Sequence, residues 1–141
     1  MVPTQGEVLT IKIKNLSLDK ILNKGFFIMP LGNDLYRVGA TYNWKISHYN
    51  STSKGKEELI EKIKTVLPQE FEIVNHQAGI RPTVKDRKPL IGIHPKHKNL
   101  GVFNGMGTKG ILIAPFFANH FCEFLDEGKQ LQKEVNIERF K

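Results

Sequence analysis

Apolar and polar residues along this chain fall into short blocks with two different periods. Residues 7–13 (EVLTIKI) are rich in β-formers with partial alternation and read as a strand. A short apolar run at 25–29 (GFFIM) ends at Pro30, and a second run follows at 35–41 (LYRVGAT). Between them stands the turn cluster Leu31-Gly32-Asn33-Asp34, so the two runs predict a hairpin. Residues 47–53 form a polar loop. A helix is predicted over 54–67, where Leu59, Ile60, Ile63, Val66 and Leu67 share one face, Glu57 and Glu58 stand early, and Pro68 is the stop. Residues 71–80 read as a long strand, interrupted at Gly79 and closed by Arg81-Pro82. Short strands at 89–93 and 100–103 flank the turn-like His94-Pro95-Lys96-His97-Lys98-Asn99. A second helix is predicted over 108–125, ending at Gly128, before a mostly polar tail with Leu131, Val135, Ile137 and Phe140 spaced along it. Strands in hairpins with only two main helices predict an α+β fold with a mostly antiparallel sheet.

The second helix has apolar residues around nearly its whole circumference: Ile111, Leu112, Ile113, Ala114, Phe116, Phe117, Ala118, Phe121, Cys122, Phe124 and Leu125. Such a helix is expected to be buried on all sides. Two arrangements satisfy this: a central helix in a compact core, or a helix partly covered by a second domain. An exposed face would instead predict self-association through this helix. Pro115 falls near its start, where a missing N–H costs less.

Composition narrows the class. A length of 141 residues suits one domain with a real core. No apolar run is long enough to span a membrane, and the first seven residues are too polar for a signal peptide. Cys122 is the one cysteine, which excludes an intrachain disulfide and predicts a buried structural thiol in a reducing, cytoplasmic setting. The net charge is +7, but the lysines are scattered and no aromatic–basic alternation appears, which argues for a solvated surface and against nucleic-acid binding.

Gly105-Met106-Gly107-Thr108-Lys109-Gly110 spells G-x-G-x-x-G between a predicted strand and an apolar helix. Its glycines let backbone approach a ligand, and the helix start offers free N–H groups to negative charge. No second strand with a terminal acid follows; Asp126 and Glu127 lie at the end of the helix itself. The motif can thus present donors but cannot build a complete dinucleotide-binding unit. Arg81 ends a long strand before a proline, which holds it extended, and its fork suits a carboxylate or phosphate. Asp34 and Asp86 read as turn formers. His48, His76, His94, His97 and His120 make no ligand cluster with cysteine or carboxylate, so no metal is expected.

Three segments, in order, carry a resemblance: Pro3-Thr4-Gln5-Gly6-Glu7; Gly79-Ile80-Arg81-Pro82-Thr83-Val84-Lys85-Asp86-Arg87-Lys88-Pro89-Leu90-Ile91-Gly92; and Asn104 through Pro115. Phe26-Phe27-Ile28-Met29-Pro30 and Val38-Gly39-Ala40-Thr41 fill the gap in the expected order. Together they resemble the C-terminal half of the FAD-dependent oxidoreductases of the D-amino-acid oxidase and glycine oxidase type. The resemblance implies a substrate-binding sheet domain at 1–103, then a flavin-facing turn, helix and tail at 104–141. It also implies that the N-terminal FAD-binding domain, with its own glycine motif, is absent from this chain. The isolated chain is then expected to be inactive and to bind FAD weakly or not at all, and the second helix is expected to pack on that domain.

The resemblance further matches Arg81 to the arginine that grips the substrate carboxylate, the candidate catalytic residue. Gly105, Met106, Gly107, Thr108, Lys109, Gly110 and Ile111 match the loop and helix start that face the flavin, acting mainly through backbone. Phe27 stands where glycine oxidase-like members carry a tyrosine that reaches substrate. Tyr36, Tyr42 and Trp44 are the aromatic residues available to line a pocket in its place, although an aromatic on a half-buried sheet is more often core, and Arg81, Phe27 and Tyr42 make up the candidate substrate-binding set. The implied reaction oxidises a small carboxylate-bearing amine by hydride transfer to FAD. Two alternatives stand beside it: a 2-hydroxy-acid dehydrogenase with the same arginine logic, and a non-enzymatic basic binding module.

Overall fold

The computed structural model describes residues 1–45 and 49–140; Ser47 and His48, read above as loop, and the terminal Lys141 lie outside the described residues. The chain packs as two units, Thr4–Ile80 and Met1–Pro3 with Arg81–Lys141. The fold is α+β with mostly antiparallel sheet, as expected. No helix among the described residues is long and apolar enough to cross a membrane.

The unit Thr4–Ile80 is built on a five-stranded sheet in the order β2-β3-β4-β1-β5, formed by β1 (Thr4–Lys12), β2 (Leu22–Asn23), β3 (Phe27–Gly32), β4 (Leu35–Gly39) and β5 (Glu72–Arg81). β1 begins ahead of the apolar run because Gln5 exchanges backbone hydrogen bonds of 2.9 Å with Asn43. The β3–β4 hairpin forms where the turn cluster predicts it. Asn33 and Asp34 take φ of 52° and 60°, the left-handed pair that a two-residue hairpin turn needs and that these side chains tolerate. Pro30 does not end β3. The strand runs through it to Gly32, with Pro30 opposite Tyr36 and a register shift between Pro30 and Gly32 that absorbs the misfit. β5 likewise continues through Gly79 to Arg81 without interruption. β2 was not foreseen, since two residues carry no period.

Helix α1 (Ser53–Lys64) covers one face of this sheet. Leu59 and Ile63 are packed with Leu9, Ile11, Ile28 and Val38, all fully buried. The helix stops three residues before the expected Leu67, because the Thr65 hydroxyl takes the Lys62 carbonyl at 2.7 Å. Val66 and Leu67 finish as a turn bonded back to the Ile63 carbonyl, and Leu67 still reaches the core.

The start of α1 rests on a buried carboxylate. Glu7 is 4% exposed and accepts from the Thr52 N–H at 2.9 Å and the Thr52 hydroxyl at 2.8 Å, while Thr52 caps the Gly55 N–H at 2.9 Å. Gly55 leaves room for the Glu7 carboxyl, which a Cβ there would displace. His76 Nε2 lies 2.7 Å from Glu7 Oε2, outside hydrogen-bond geometry, so that contact is electrostatic and depends on ring protonation. A negative group under the positive end of a helix, accepting two donors, is strongly placed. Glu7→Gln turns one acceptor into a donor facing the cap and is expected to destabilise the chain by roughly 1–3 kcal/mol. A urea midpoint equal to the parent's would contradict this.

The other unit holds the hairpin β6 (Leu90–Ile93) and β7 (Gly101–Asn104), the helix α2 (Gly110–Glu127) and the tail. α2 ends as predicted, with Gly128 left-handed at φ 70° and Lys129 N bonded back to the Glu123 carbonyl. Leu131 and Val135 of the tail close a small core with Ile91, against which Phe117, Phe121 and Phe124 pack. That is the only face of α2 covered by this core. No residue of α2 is fully buried, so the central-helix arrangement fails: Ile111 is 98% and Leu112 79% exposed, and Phe116 and Leu125 are also open. Cys122 is exposed too, contrary to the expected buried thiol, because it lies off the face that carries Phe117, Phe121 and Phe124. Pro115 falls in the second turn, where it leaves the Ile111 carbonyl without its usual donor.

Candidate functional site

β7 delivers the chain into the glycine turn. Asn104 Oδ1 accepts from the Gly105 N–H at 2.8 Å, fixing the exit from the strand. Gly105 is left-handed at φ 76° and wedged: a Cβ there would lie 2.6 Å from Val84 Cγ2 and 3.1 Å from the Leu90 nitrogen. Gly107 is also left-handed, at φ 59°, but a Cβ there would meet nothing within 4 Å. A 3-10 turn (Gly107–Lys109) then runs straight into α2. Met106 packs inward against the small core, while Thr108, Lys109 and Ile111 are exposed. No side chain caps the start of α2 and no acid stands in its first turn. Gly105 is buried and its N–H is taken by Asn104, so the backbone the turn leaves open starts at Gly107 and runs into the positive end of an 18-residue helix. Chemically, this suits an electron-rich planar edge or a developing negative charge.

Arg81 is the last residue of β5 and is half-buried. The segment after it is firmly seated. Thr83 and Val84 are buried, the Thr83 carbonyl accepts from Val2 N at 2.8 Å, and Val84 abuts Gly105. The sequence that follows Arg81 thus packs directly against the glycine turn within one unit. Asp86 forms the turn beyond it, accepting from Lys88 N at 3.2 Å, and is clamped by Arg139 through Nε at 2.8 Å and Nη2 at 3.3 Å. The Arg139 hydrogen bonds hold the Asp86 carboxyl below the ordinary aspartate value; slight burial opposes them and the Lys88 N–H adds to them. A carboxyl depressed in the folded state contributes stability that is fully present above the unfolded value of about 3.9. The contribution is lost as pH falls through the lower folded value. Asp86→Asn is expected to flatten the acid limb of the stability–pH curve below about pH 4. Parallel acid limbs for the parent and Asp86→Asn, followed by thermal melts, would contradict that.

Phe27 and Tyr42 belong to the unit Thr4–Ile80. Phe27 pairs across the sheet with Gly39, and its ring lies where a Cβ on Gly39 would approach Cζ to 3.0 Å. Tyr42 is exposed and meets Trp44 edge-on, with ring centroids 5.3 Å apart. It lines a polar cavity of about 180 Å³ with Glu7, Thr41, Asn43, Thr52, Lys54, Gly55 and Glu58. Tyr36 is not available to line a pocket: it is buried in the core, and its hydroxyl donates to the Leu16 carbonyl. His94 acts as a turn former, its Nδ1 accepting from Lys96 N and His97 N at 3.2 Å each. The sequence reading missed the Glu7–Thr52–Gly55 cluster. The signal for it was a carboxylate in phase with Leu9 and Ile11 on a core-facing strand.

A family model described as FAD-dependent oxidoreductase matches residues 1–124. The chain belongs to this family. The glycine oxidase of Bacillus subtilis (strain 168) is 34% identical over 139 residues, covering 95% of this chain and 36% of that protein. The glycine oxidase of Bacillus licheniformis is 35% identical over 118 residues, covering 80% and 31%. This FAD-dependent oxidoreductase chain thus spans about a third of the length of those relatives. Its fold matches the crystal structure of glycine oxidase from Geobacillus kaustophilus with a TM-score of 0.77 at 26% identity, over 92% of this chain and 36% of that one. L-proline dehydrogenase from P. horikoshii matches with a TM-score of 0.82 at 16% identity, over 98% and 40%, and shares the fold.

Proposed function

We propose that this chain supplies the substrate-binding and flavin-facing part of a FAD-dependent oxidoreductase that oxidises a small carboxylate-bearing amine in the cytoplasm. The observation that carries the reading is the uncapped start of α2 behind Gly105 and Gly107, in a chain of this family. The positive helix end there fits the electron-rich edge of a flavin. Bound FAD would supply the acceptor for the hydride that leaves the C–H of the neutral amine with its electron pair, giving an iminium ion that water converts to a carbonyl compound and an ammonium ion.

The chain's own residues do the rest. Met106, Gly107, Thr108, Lys109, Gly110 and Ile111 present backbone donors that stabilise added negative charge, and Gly105, its own N–H held by Asn104, seats the turn. Arg81 grips the substrate carboxylate and fixes the orientation of the reacting carbon. Phe27 and Tyr42 line the substrate side without the hydroxyl that a tyrosine at position 27 would bring. Residues 1–103 form the substrate side and 104–141 the flavin side. The open face of α2, with Ile111, Leu112 and Phe116, packs against a nucleotide-binding part not contained in these 141 residues.

The test is an absorbance spectrum after incubation with FAD and removal of the excess. The 141-residue chain is expected to stay colourless. It is expected to retain near-stoichiometric flavin when produced together with a family nucleotide-binding domain. Tight flavin binding by the chain alone would contradict the proposed division, as would a clean monomer by light scattering, since the open α2 face without its partner is expected to drive self-association.

A further inference from the structure

Between Arg81 and β6 the chain has no regular structure. Residues 82–89 make neither helix nor strand, and Arg87 within them is left-handed at φ 58°. That conformation is unfavourable for an arginine and persists only where the surroundings hold it. The near side of the segment has two holds: the Thr83 carbonyl is bonded to Val2 N, and Val84 fills the space that Gly105 leaves. The far side is held by Arg139, 53 residues further along the chain from Asp86.

The Arg139 side chain is only 13% exposed, and every part of its fork is engaged. Nε and Nη2 donate to the two oxygens of Asp86, Nη2 also donates to the Lys88 carbonyl at 3.2 Å, and Nη1 donates to the Asn136 carbonyl at 3.1 Å. Its Cζ lies 4.5 Å from the centroid of the Phe140 ring. The fork thus ties two points of the irregular segment, a carboxylate and a backbone carbonyl, to the tail. The tail is tied in turn to β6, where the Val135 carbonyl accepts from Ile91 N. A planar guanidinium engages a carboxylate at two points, which a lysine ammonium does not reproduce. All of these residues belong, with Arg81 and the glycine turn, to the one unit Met1–Pro3 with Arg81–Lys141. Pro82 restricts the backbone of Arg81, so a shift of the segment passes to Arg81 rather than being absorbed before it.

We propose that Arg139 positions Arg81 for the substrate carboxylate by fixing the segment that follows it. The inference rests on the reading of Arg81 as the carboxylate grip. In this role Arg139 meets neither substrate nor flavin and lies outside the site; it is a positioning residue that acts through Arg81.

The test uses butyrate as the carboxylate probe. In the flavin-loaded protein, made by producing the chain with a family nucleotide-binding domain, perturbation of the flavin absorption band gives the butyrate affinity. Arg139→Met is expected to weaken butyrate roughly 10-fold while flavin stays near-stoichiometric. Loss of a merely structural contact would lower the melting temperature and leave the butyrate affinity unchanged. Because the effect runs through Arg81, adding Arg139→Met to Arg81→Leu is expected to weaken butyrate no further. Arg139→Lys keeps the charge without the fork and is expected to cost about threefold; it carries the test if Arg139→Met no longer holds flavin. In the 141-residue chain without flavin, the backbone amide NMR signal of Arg81 is expected to move in Arg139→Met. An unchanged butyrate affinity in the variant that holds flavin, a full further loss in the double variant, or an Arg81 signal that stays in place overturns the inference. If Arg81→Leu alone leaves butyrate affinity unchanged, it is the reading of Arg81 as the grip that fails.

Discussion

Arg81→Leu in the flavin-loaded protein is expected to lower kcat/KM for a carboxylate-bearing amine by roughly 30- to 5,000-fold, the equivalent of about 2–5 kcal/mol of lost transition-state stabilisation. The size follows from how the arginine is held. It ends β5, is half-buried, and is followed by Pro82 and the buried pair Thr83 and Val84. A guanidinium on so rigid a support orients a substrate as well as binding it, so both kcat and KM should suffer. The effect should be confined to substrates that carry the carboxylate. Steady-state kinetics at saturating FAD decides the matter; a change below threefold would remove Arg81 from the substrate site.

Gly105→Val is expected to destabilise the chain by roughly 2–5 kcal/mol and to abolish the flavin retention seen when the chain is produced with a nucleotide-binding domain. Two costs add at this position. The backbone is left-handed at φ 76°, where a β-branched residue is strained, and the new Cβ would lie 2.6 Å from Val84 Cγ2 and 3.1 Å from the Leu90 nitrogen. Gly107 provides the internal control. It is left-handed too, at φ 59°, but faces open space, so Gly107→Ala should cost only the backbone term, about 1–2 kcal/mol. Urea denaturation of the two variants separates strain from collision. Equal midpoints would mean that the contact with Val84 does not seat the turn.

The parts of this molecule legible in its sequence are those governed by neighbours in the chain. Asn33 and Asp34 announced a hairpin turn through their own tolerance of positive φ, and Gly128 announced the end of α2 in the same way. Gly105 to Gly110 could be placed between a strand and a helix from composition alone. The family resemblance also held, because it rests on several short segments kept in order. What escaped depends on partners far along the chain. Glu7 meets Thr52 across 45 residues, and nothing local to either predicts the pairing. Pro30 looked like a strand end because the bulge that accommodates it is a property of the hairpin as a whole. The exposure of α2 agrees with the second arrangement drawn from its all-round apolar composition, a helix whose cover lies in another domain.

The tail of the chain does more than fill a core. Val135 accepts from Ile91 N at 2.8 Å, Asn136 makes a parallel bridge to the same residue, and Ile137 lies over Gly92 so closely that a Cβ there would meet it at 2.8 Å. These contacts occupy the side of β6 that β7 leaves open. A chain cut after Glu127 would keep the glycine turn and all of α2, yet its smaller sheet would present a bare β-edge to other molecules. The tail thus closes the β6 edge, and its loss is expected to expose that edge without touching a single proposed site residue.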